Sequence, residues 1–228
     1  IVKYLISLDK INIKSNNKNQ ENILHLAAKN NNLELVKYII SLKKIDVNSK
    51  NIFLQNVLHI ACNIKKNNID LVKYLVSLDE IDIAATDIHE NTLLHIACKN
   101  GNIELVNYLM SLKSIEIKAK NKLQKTILYY ACRSGNLSLV KLIRSLKLIE
   151  ITSKDTNGNT ILHAAVKSQN LELIDYLIKL NKIDINAKGK HNITILHIAC
   201  KINNFEIVKY LISCKSINIT LTDDKESN

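Results

Sequence analysis

Histidine and cysteine recur three residues apart in this sequence, a spacing that places both side chains on one face of a helix. The pairs are His59 with Cys62, His95 with Cys98, and His197 with Cys200. Imidazole nitrogen and thiolate sulfur are ligands that zinc prefers. The spacing therefore raises a metal site or a redox site as the first chemistry to consider.

The cysteine position, however, also accepts apolar residues. In register along the chain it reads Ala28, Cys62, Cys98, Cys132, Val166 and Cys200. A position shared with Ala and Val is a small apolar packing position. We therefore predict no metal ion and no cofactor. Five cysteines without paired spacing also favour a reduced, intracellular and cytoplasmic setting over a disulfide framework.

No other catalytic arrangement stands out in the sequence. It contains no glycine-rich phosphate loop, no nucleophile elbow and no pair of carboxylates away from recurring positions. Serine and cysteine lie near histidine only because a longer segment recurs. We predict that the chain is not an enzyme.

The histidines belong to a segment that recurs six times. It begins at Asn22, Asn56, Thr92, Thr126, Thr160 and Thr194, with spacings of 34, 36, 34, 34 and 34 residues. This spacing divides the chain into repeats 17–50, 51–86, 87–120, 121–154, 155–188 and 189–222. Residues 1–16 match the second half of a repeat, and 223–228 match the start of another. We expect one array that continues beyond both ends.

Each repeat predicts two short helices followed by an extended, β-like strip. Asn or Thr precedes the first helix, where its side chain can cap free N–H groups. A recurring asparagine precedes the second helix: Asn32, Asn68, Asn102, Asn136, Asn170 and Asn204. The strip follows, as in Ile45–Val47 and Ile115–Ile117. Two helices this short cannot bury their apolar faces alone, so neighbouring repeats must stack into a solenoid.

These segments resemble the ankyrin repeat, whose hallmark is Thr-Pro-Leu-His-x-Ala in a unit of about 33 residues. The resemblance recurs six times in register and covers essentially the whole chain. It implies an all-α ankyrin-repeat solenoid, with a helix–turn–helix and a β-hairpin-like loop in each repeat. It also implies that one histidine per repeat bonds to the capping residue and the backbone: His25, His59, His95, His163 and His197.

The sequence departs from the family pattern at two positions. The proline of the hallmark is replaced by Ile, Val or Leu in every repeat. The glycine that usually follows the second helix is replaced by pairs such as Lys43-Lys44, Asp79-Glu80 and Lys113-Ser114. Because glycine adopts the left-handed conformation most easily, we expect that left-handed cap to be absent here.

The resemblance also implies where partners bind: at the hairpin tips and on the exposed face of the first helices. Carried over in register to the second, third and fourth repeats, it selects Ile52, Phe53, Gln55, Asn63, Ile64, Ile88, His89, Asn91, Lys99, Asn100, Lys122, Leu123, Lys125, Arg133 and Ser134. The apolar members Ile52, Phe53, Ile64, Ile88 and Leu123 would form one strip if the tips align. Alternatively, they pack against neighbouring tips.

The chain of 228 residues carries a formal net charge of +11, and only two of its 32 basic residues are arginine. Scarce arginine weakens a nucleic-acid interpretation, because arginine recognises phosphate and guanine in a bidentate manner. We predict a monomeric scaffold, without a membrane span, that binds a protein or peptide with an acidic rim. Two alternatives stay open: electrostatic binding to nucleic acid or an anionic membrane surface, and regulation in cis of a larger enzyme or channel.

Overall fold

A computed structural model of the chain describes residues 12–64 and 69–225. The chain divides into two compact units, Ile1–Glu116 and Ile117–Asn228. The first unit contains α1 (Ile23–Lys29), α2 (Leu33–Ser41), α3 (Val57–Cys62), α4 (Ile69–Val76), α5 (Leu93–Asn100) and α6 (Ile103–Met110). The second contains α7 (Ile127–Ser134), α8 (Leu137–Ser145), α9 (Ile161–Ser168), α10 (Leu171–Lys179), α11 (Ile195–Lys201) and α12 (Phe205–Ser213). A single 3₁₀ turn, Lys190–Asn192, precedes α11.

The predicted helix starts are confirmed. All six first helices begin after the predicted Asn or Thr, in extended backbone conformation. In the second helices whose caps the structure describes, the asparagine side chain accepts the backbone N–H three residues on, as between Asn32 and Leu35 at 3.0 Å. Each cap satisfies one of the N–H groups that a helix start leaves unbonded.

The core lies between helices of successive repeats within each unit. In the first unit α3 packs against both α1 and α5, and in the second unit α9 packs against both α7 and α11. Leu58, Leu94 and Leu162 are completely buried. Each helix pair is covered by the next pair in its unit, as expected for stacked repeats. The all-helical fold class of the ankyrin solenoid is confirmed.

The strips after the second helices are turns, and the described parts of the chain contain no β-strand. In the first repeat the backbone N–H of Asn48 donates to Asp46 Oδ1 (2.8 Å), which bends the strip. The amide of Asn48 donates in turn to the Glu80 carbonyl (2.6 Å), and its Oδ1 accepts from the Asp82 N–H (2.8 Å). Side-chain amides thus join one strip to the next, where a sheet would use backbone pairs.

The expectation that the left-handed conformation is absent after the second helix is wrong in three repeats. Lys43, Lys147 and Asn181 have φ of 51°, 54° and 50°. At Asp79 and Lys113 the expectation is correct, because neither residue has a positive φ. A lysine in this region is strained by about 1 kcal/mol, so the stacked turn must stabilise it.

Several predictions fall wholly or partly outside the described residues. These are the partial repeat 1–16, the Asn68 cap and the end of segment 223–228. The division into six repeats with the boundaries given above stays a prediction. Among the described helices, none has both the length and the apolar character needed to cross a membrane.

Candidate functional site

Five of the hairpin-like tips are closed by an asparagine or aspartate side chain, whereas the tip at Gly189 is closed by a backbone bond from the Gly189 N–H to the Ile193 carbonyl. In the second repeat, Asn51 Oδ1 accepts the backbone N–H groups of Phe53 (2.9 Å) and Gln55 (3.0 Å), and the Asn51 N–H donates to the Gln55 carbonyl (3.0 Å). Asn51 itself is 3% exposed. The buried amide therefore fixes the tip from inside and turns the intervening side chains towards solvent.

Those outward side chains form the apolar tip cluster of the first unit: Ile52, Phe53, Leu54 and Ile88. They are 41%, 47%, 47% and 44% exposed. The backbone N–H of Ile88 donates to the Phe53 carbonyl (2.9 Å), so adjacent tips are held together. Four large apolar side chains exposed on two adjoining tips form a candidate contact site. The sequence selection had missed Leu54.

A pocket of ≈ 390 Å³ lies behind this cluster. Its lining includes four of the predicted binding residues: Phe53, Gln55, Asn63 and Ile64. Ile60 contributes an apolar wall, and the wall also includes a 3.4 Å ion pair between Lys29 and Glu21. The tip and the end of the first helix therefore converge on one pocket, and the binding role of its residues stays a prediction.

The selected residues of the third repeat divide into two groups. His89 and Lys99 are exposed. Asn91 and Asn100 take part in the fold: the Asn91 amide donates to Asp87 Oδ2 (3.0 Å), and the Asn100 amide donates to the Cys62 carbonyl (3.1 Å). The Asn91 amide supports the Asp87 side chain, and the Asn100 amide holds the backbone of the preceding repeat.

In the second unit the selected residues divide similarly. Lys122 and Leu123 are exposed at the tip. Arg133 Nη1 donates to the Lys167 carbonyl (2.8 Å), and Ser134 Oγ donates to the Ala131 carbonyl (2.8 Å). A continuous strip from the apolar tip cluster to Leu123 stays a prediction.

The second unit also contains a cationic pocket of ≈ 550 Å³, called here the lysine pocket, which is lined by Lys125, Lys167, Lys190 and Lys201. Lys125 Nζ lies 4.6 Å from the centroid of the Tyr129 ring and 3.7 Å from Asp155 Oδ2. The sequence selection stopped at the fourth repeat and missed three of these lysines. Register would have found them, because Lys167 and Lys201 follow Arg133 at intervals of 34 residues, and Lys190 matches Lys122 two repeats later.

The recurring histidines bond to the helix caps, as the family resemblance implied. In the Thr-capped repeats the backbone N–H of the cap donates to histidine Nδ1, as between Thr160 and His163 at 3.1 Å. Nε2 of His163 then lies 3.2 Å from the Ile193 carbonyl of the next repeat. This geometry fits the tautomer that carries its proton on Nε2. His163 thus joins its own cap to the neighbouring repeat, and His25 does the same through Nε2 and the Gln55 carbonyl (3.1 Å).

His59 differs from this pattern. Its Nδ1 lies 2.7 Å from Oδ1 of the Asn56 cap, and its buried Nε2 has no hydrogen-bond partner. An amide oxygen can only accept, so this contact fits the tautomer that carries its proton on Nδ1. Burial lowers the pKa of His59 to about 4, and the carboxylate of Asp87 opposes this only weakly.

Three of the helical cysteines are packing residues in this structure, whereas Cys200, which was predicted to pack in the same way, is exposed on α11. Cys62, Cys98 and Cys132 are completely buried, and all five cysteines are free thiols. Burial raises the pKa of Cys62 to about 12 and raises the pKa of the other two as well. Within residues 12–64 and 69–225, no three His, Cys, Asp or Glu side chains cluster closely enough to hold a metal ion.

Comparison with known proteins gives one family. A family model described as ankyrin repeats (3 copies) matches residues 1–87, 58–155 and 128–223. No curated protein matches the chain.

Proposed function

Because the chain belongs to the ankyrin repeat family, whose members generally act as protein–protein interaction modules, we propose that it is a non-catalytic scaffold that binds a protein or peptide. Binding takes place at the hairpin tips and on the exposed face of the first helices. The family is typically non-catalytic, which agrees with the absence of a catalytic arrangement in the sequence.

One observation carries this proposal: the apolar tip cluster. Ile52, Phe53, Leu54 and Ile88 are each more than 40% exposed on backbone that is fixed by buried amides. A fixed apolar surface loses little conformational entropy when it is covered, so its burial contributes directly to affinity. The adjoining pocket lined by Ile60 and Ile64 offers a place for a partner side chain.

The proposal extends to the partner and the setting. Lysine residues around the tips favour a partner with acidic groups at its rim, because complementary charge speeds association and excludes wrong partners. Five free thiols favour a reduced compartment, so we place the protein in the cytoplasm as a monomer.

A pull-down followed by titration tests the role of the apolar tip cluster. Wild type, a Phe53→Ala/Ile88→Ala variant and a Leu123→Ala variant are used to capture proteins from a lysate of the source organism. The purified captured partner is then titrated against each protein. Ile212→Ala serves as the matched control, because Ile212 is 54% exposed but lies on α12, away from the tips.

Loss of two central apolar contacts is expected to weaken binding by at least about tenfold in the double variant, with no change in the control. Equal affinity of wild type and the double variant would exclude the apolar tip cluster as the binding surface. Leu123→Ala reports separately on whether the tip of the second unit contributes.

The net charge of +11 supports one competing function, electrostatic binding to nucleic acid or an anionic membrane. For duplex DNA, this alternative predicts that affinity falls with salt at a logarithmic slope of about −0.9 per phosphate contacted. If binding does not depend on salt and is lost in the Phe53→Ala variant, the result favours a protein partner. Regulation in cis of an enzyme or channel is tested by the full-length reading frame.

A further inference from the structure

The lysine pocket concentrates positive charge that the fold does not neutralise. Lys167 and Lys201 lie in the last turns of α9 and α11, and Lys190 lies in the 3₁₀ turn between those helices. None of these three makes an ion pair within the described part of the chain. Lys125 is paired with Asp155, whose carboxylate is almost completely buried. The pocket therefore presents excess cationic charge to solvent.

The electrostatics of Lys167 report the same excess. Burial lowers the pKa of this half-buried lysine, and the nearby cations Lys125, Arg133 and Lys201 lower it further, while the Asp155 carboxylate opposes them without cancelling the shift. Like charges at close range destabilise one another, and an anion placed among them relieves that repulsion. The arrangement therefore favours an anionic guest.

The wall beside the lysines is partly apolar, with Asn157, Asn159 and His191 as its other polar members, and the apolar part selects the kind of anion. Ile193, Ile198 and Ile202 line it beside the lysines. Bases of single-stranded nucleic acid need an open aromatic face for stacking. Tyr129 offers none, because it is 7% exposed and lies beneath Lys125, and the exposed ring of His191 is engaged by Asp224 Oδ2 at 3.3 Å. A volume of ≈ 550 Å³ accommodates a few side chains but not a duplex.

We propose that the lysine pocket binds an acidic peptide segment in which an apolar side chain is flanked by aspartate or glutamate. The apolar side chain packs against Ile198 and Ile202, while the flanking carboxylates pair with Lys167 and Lys201. The inference rests on the proposed function and specifies the partner chemistry for the second unit. The binding surface differs from the apolar tip cluster, which lies entirely in the first unit.

Peptide phage display on the full chain tests this inference. A library of random 12-residue peptides is selected against wild type, and the enriched peptides are synthesised and titrated by fluorescence anisotropy. Each peptide is also titrated against Lys167→Gln/Lys201→Gln and against Lys182→Gln/Lys215→Gln. The second variant removes the same charge from two exposed lysines of the second unit that do not line the pocket.

Enriched peptides are expected to carry at least two carboxylates around an aliphatic or aromatic residue. A charge-assisted hydrogen bond contributes enough for about tenfold in affinity, so the pocket variant is expected to bind about 100-fold more weakly than wild type. The control variant is expected to lose less than about threefold, because exposed charges at a distance are screened. A peptide in which Gln and Asn replace the acids should bind neither protein.

Three outcomes would overturn the inference. Enriched peptides that lack acidic residues, or that bind the pocket variant as well as wild type, exclude this site. If the enriched peptides bind the pocket variant normally but bind the Phe53→Ala/Ile88→Ala variant weakly, the proposed function stands and the lysine pocket is not the peptide-binding site. If a thymidine 20-mer binds wild type and loses affinity in the pocket variant while acidic peptides do not, the pocket is a nucleic-acid site.

Discussion

The protonation of His59 gives a quantitative test of the repeat structure. This ring is completely buried, and burial lowers its pKa from 6.5 to about 4. In the unfolded chain the ring accepts a proton near pH 6.5, whereas the folded chain resists protonation until about pH 4. The unfolded state therefore binds more protons over this interval, and stability falls as pH falls through it.

The magnitude follows from proton linkage. At pH 7 both states hold His59 largely neutral, so its contribution to stability is almost fully present. At pH 5 the unfolded ring is mostly protonated and the folded ring mostly neutral. Integration between these two values gives a loss of about 2 kcal/mol from His59 alone. Below about pH 4 the loss levels off, because the ring is then protonated in both states.

Urea unfolding followed by helical circular dichroism measures this loss, since the chain contains no tryptophan. Wild type and His59→Gln are compared at pH 7 and pH 5. The variant is expected to be less stable at pH 7 and to lose about 2 kcal/mol less than wild type on acidification. His89→Gln is the matched control, because His89 is exposed at a tip and should leave the difference between the two pH values unchanged.

A second measurement does not depend on the stability of the variant. In the wild-type protein, NMR signals of the His59 ring should not titrate between pH 7 and pH 5. A midpoint near 6.5, or an equal acid sensitivity in wild type and His59→Gln, would show that the ring is not buried as described. His25 and His163, whose pKa values burial also lowers, should add to the acid sensitivity of wild type.

Three further predictions concern single positions. Gln124 has a φ of 57°, so Gln124→Gly should relieve left-handed strain and raise the free energy of unfolding by about 0.5 kcal/mol. Lys122→Gly is the control, because Lys122 has a negative φ, and it should lower the free energy of unfolding by a similar amount. Urea unfolding measures both changes. An excess of a thiol reagent such as dithionitrobenzoate should modify the exposed Cys200 in the native protein but reach the buried Cys62 only after unfolding, with mass spectrometry locating each label. Asn170→Ala should lower the melting temperature by several degrees, which corresponds to a loss of about 1–2 kcal/mol in the free energy of unfolding. The Asn170 side chain caps α10 by accepting the Leu173 N–H (3.0 Å), and its amide donates to the Gly135 carbonyl of the preceding repeat (2.8 Å). An unchanged melting temperature would contradict both roles.

The caps and the helix pairs were predictable because their causes lie close together in the chain. A side-chain oxygen of Asn22 or Thr92 reaches an N–H two or three residues away, so residue type and spacing suffice to place the helix start. The apolar period of each helix is equally local. Recurrence then multiplied each local signal sixfold, and this made the family resemblance specific.

Some positions of the candidate site followed from the same register. Phe53, Gln55, Asn63 and Ile64 line one pocket. They come from the tip and from the end of the first helix of one repeat, the two places that the ankyrin resemblance selects. The lysines of the second unit were also accessible to this reasoning, since Lys167 continues the column that contains Arg133. They were missed because the register was applied only to the second, third and fourth repeats.

What only the tertiary structure decided depends on contacts between residues about 34 positions apart. Residue type gives no signal that Lys43 adopts a left-handed conformation, because a lysine side chain disfavours it. Nor does sequence distinguish Asn100, whose amide reaches a carbonyl of the preceding repeat, from the exposed Lys99 beside it. Residue type and spacing set the helices and their register, whereas exposure and protonation, as at His59, are set by whichever side chains the adjacent repeat places against them.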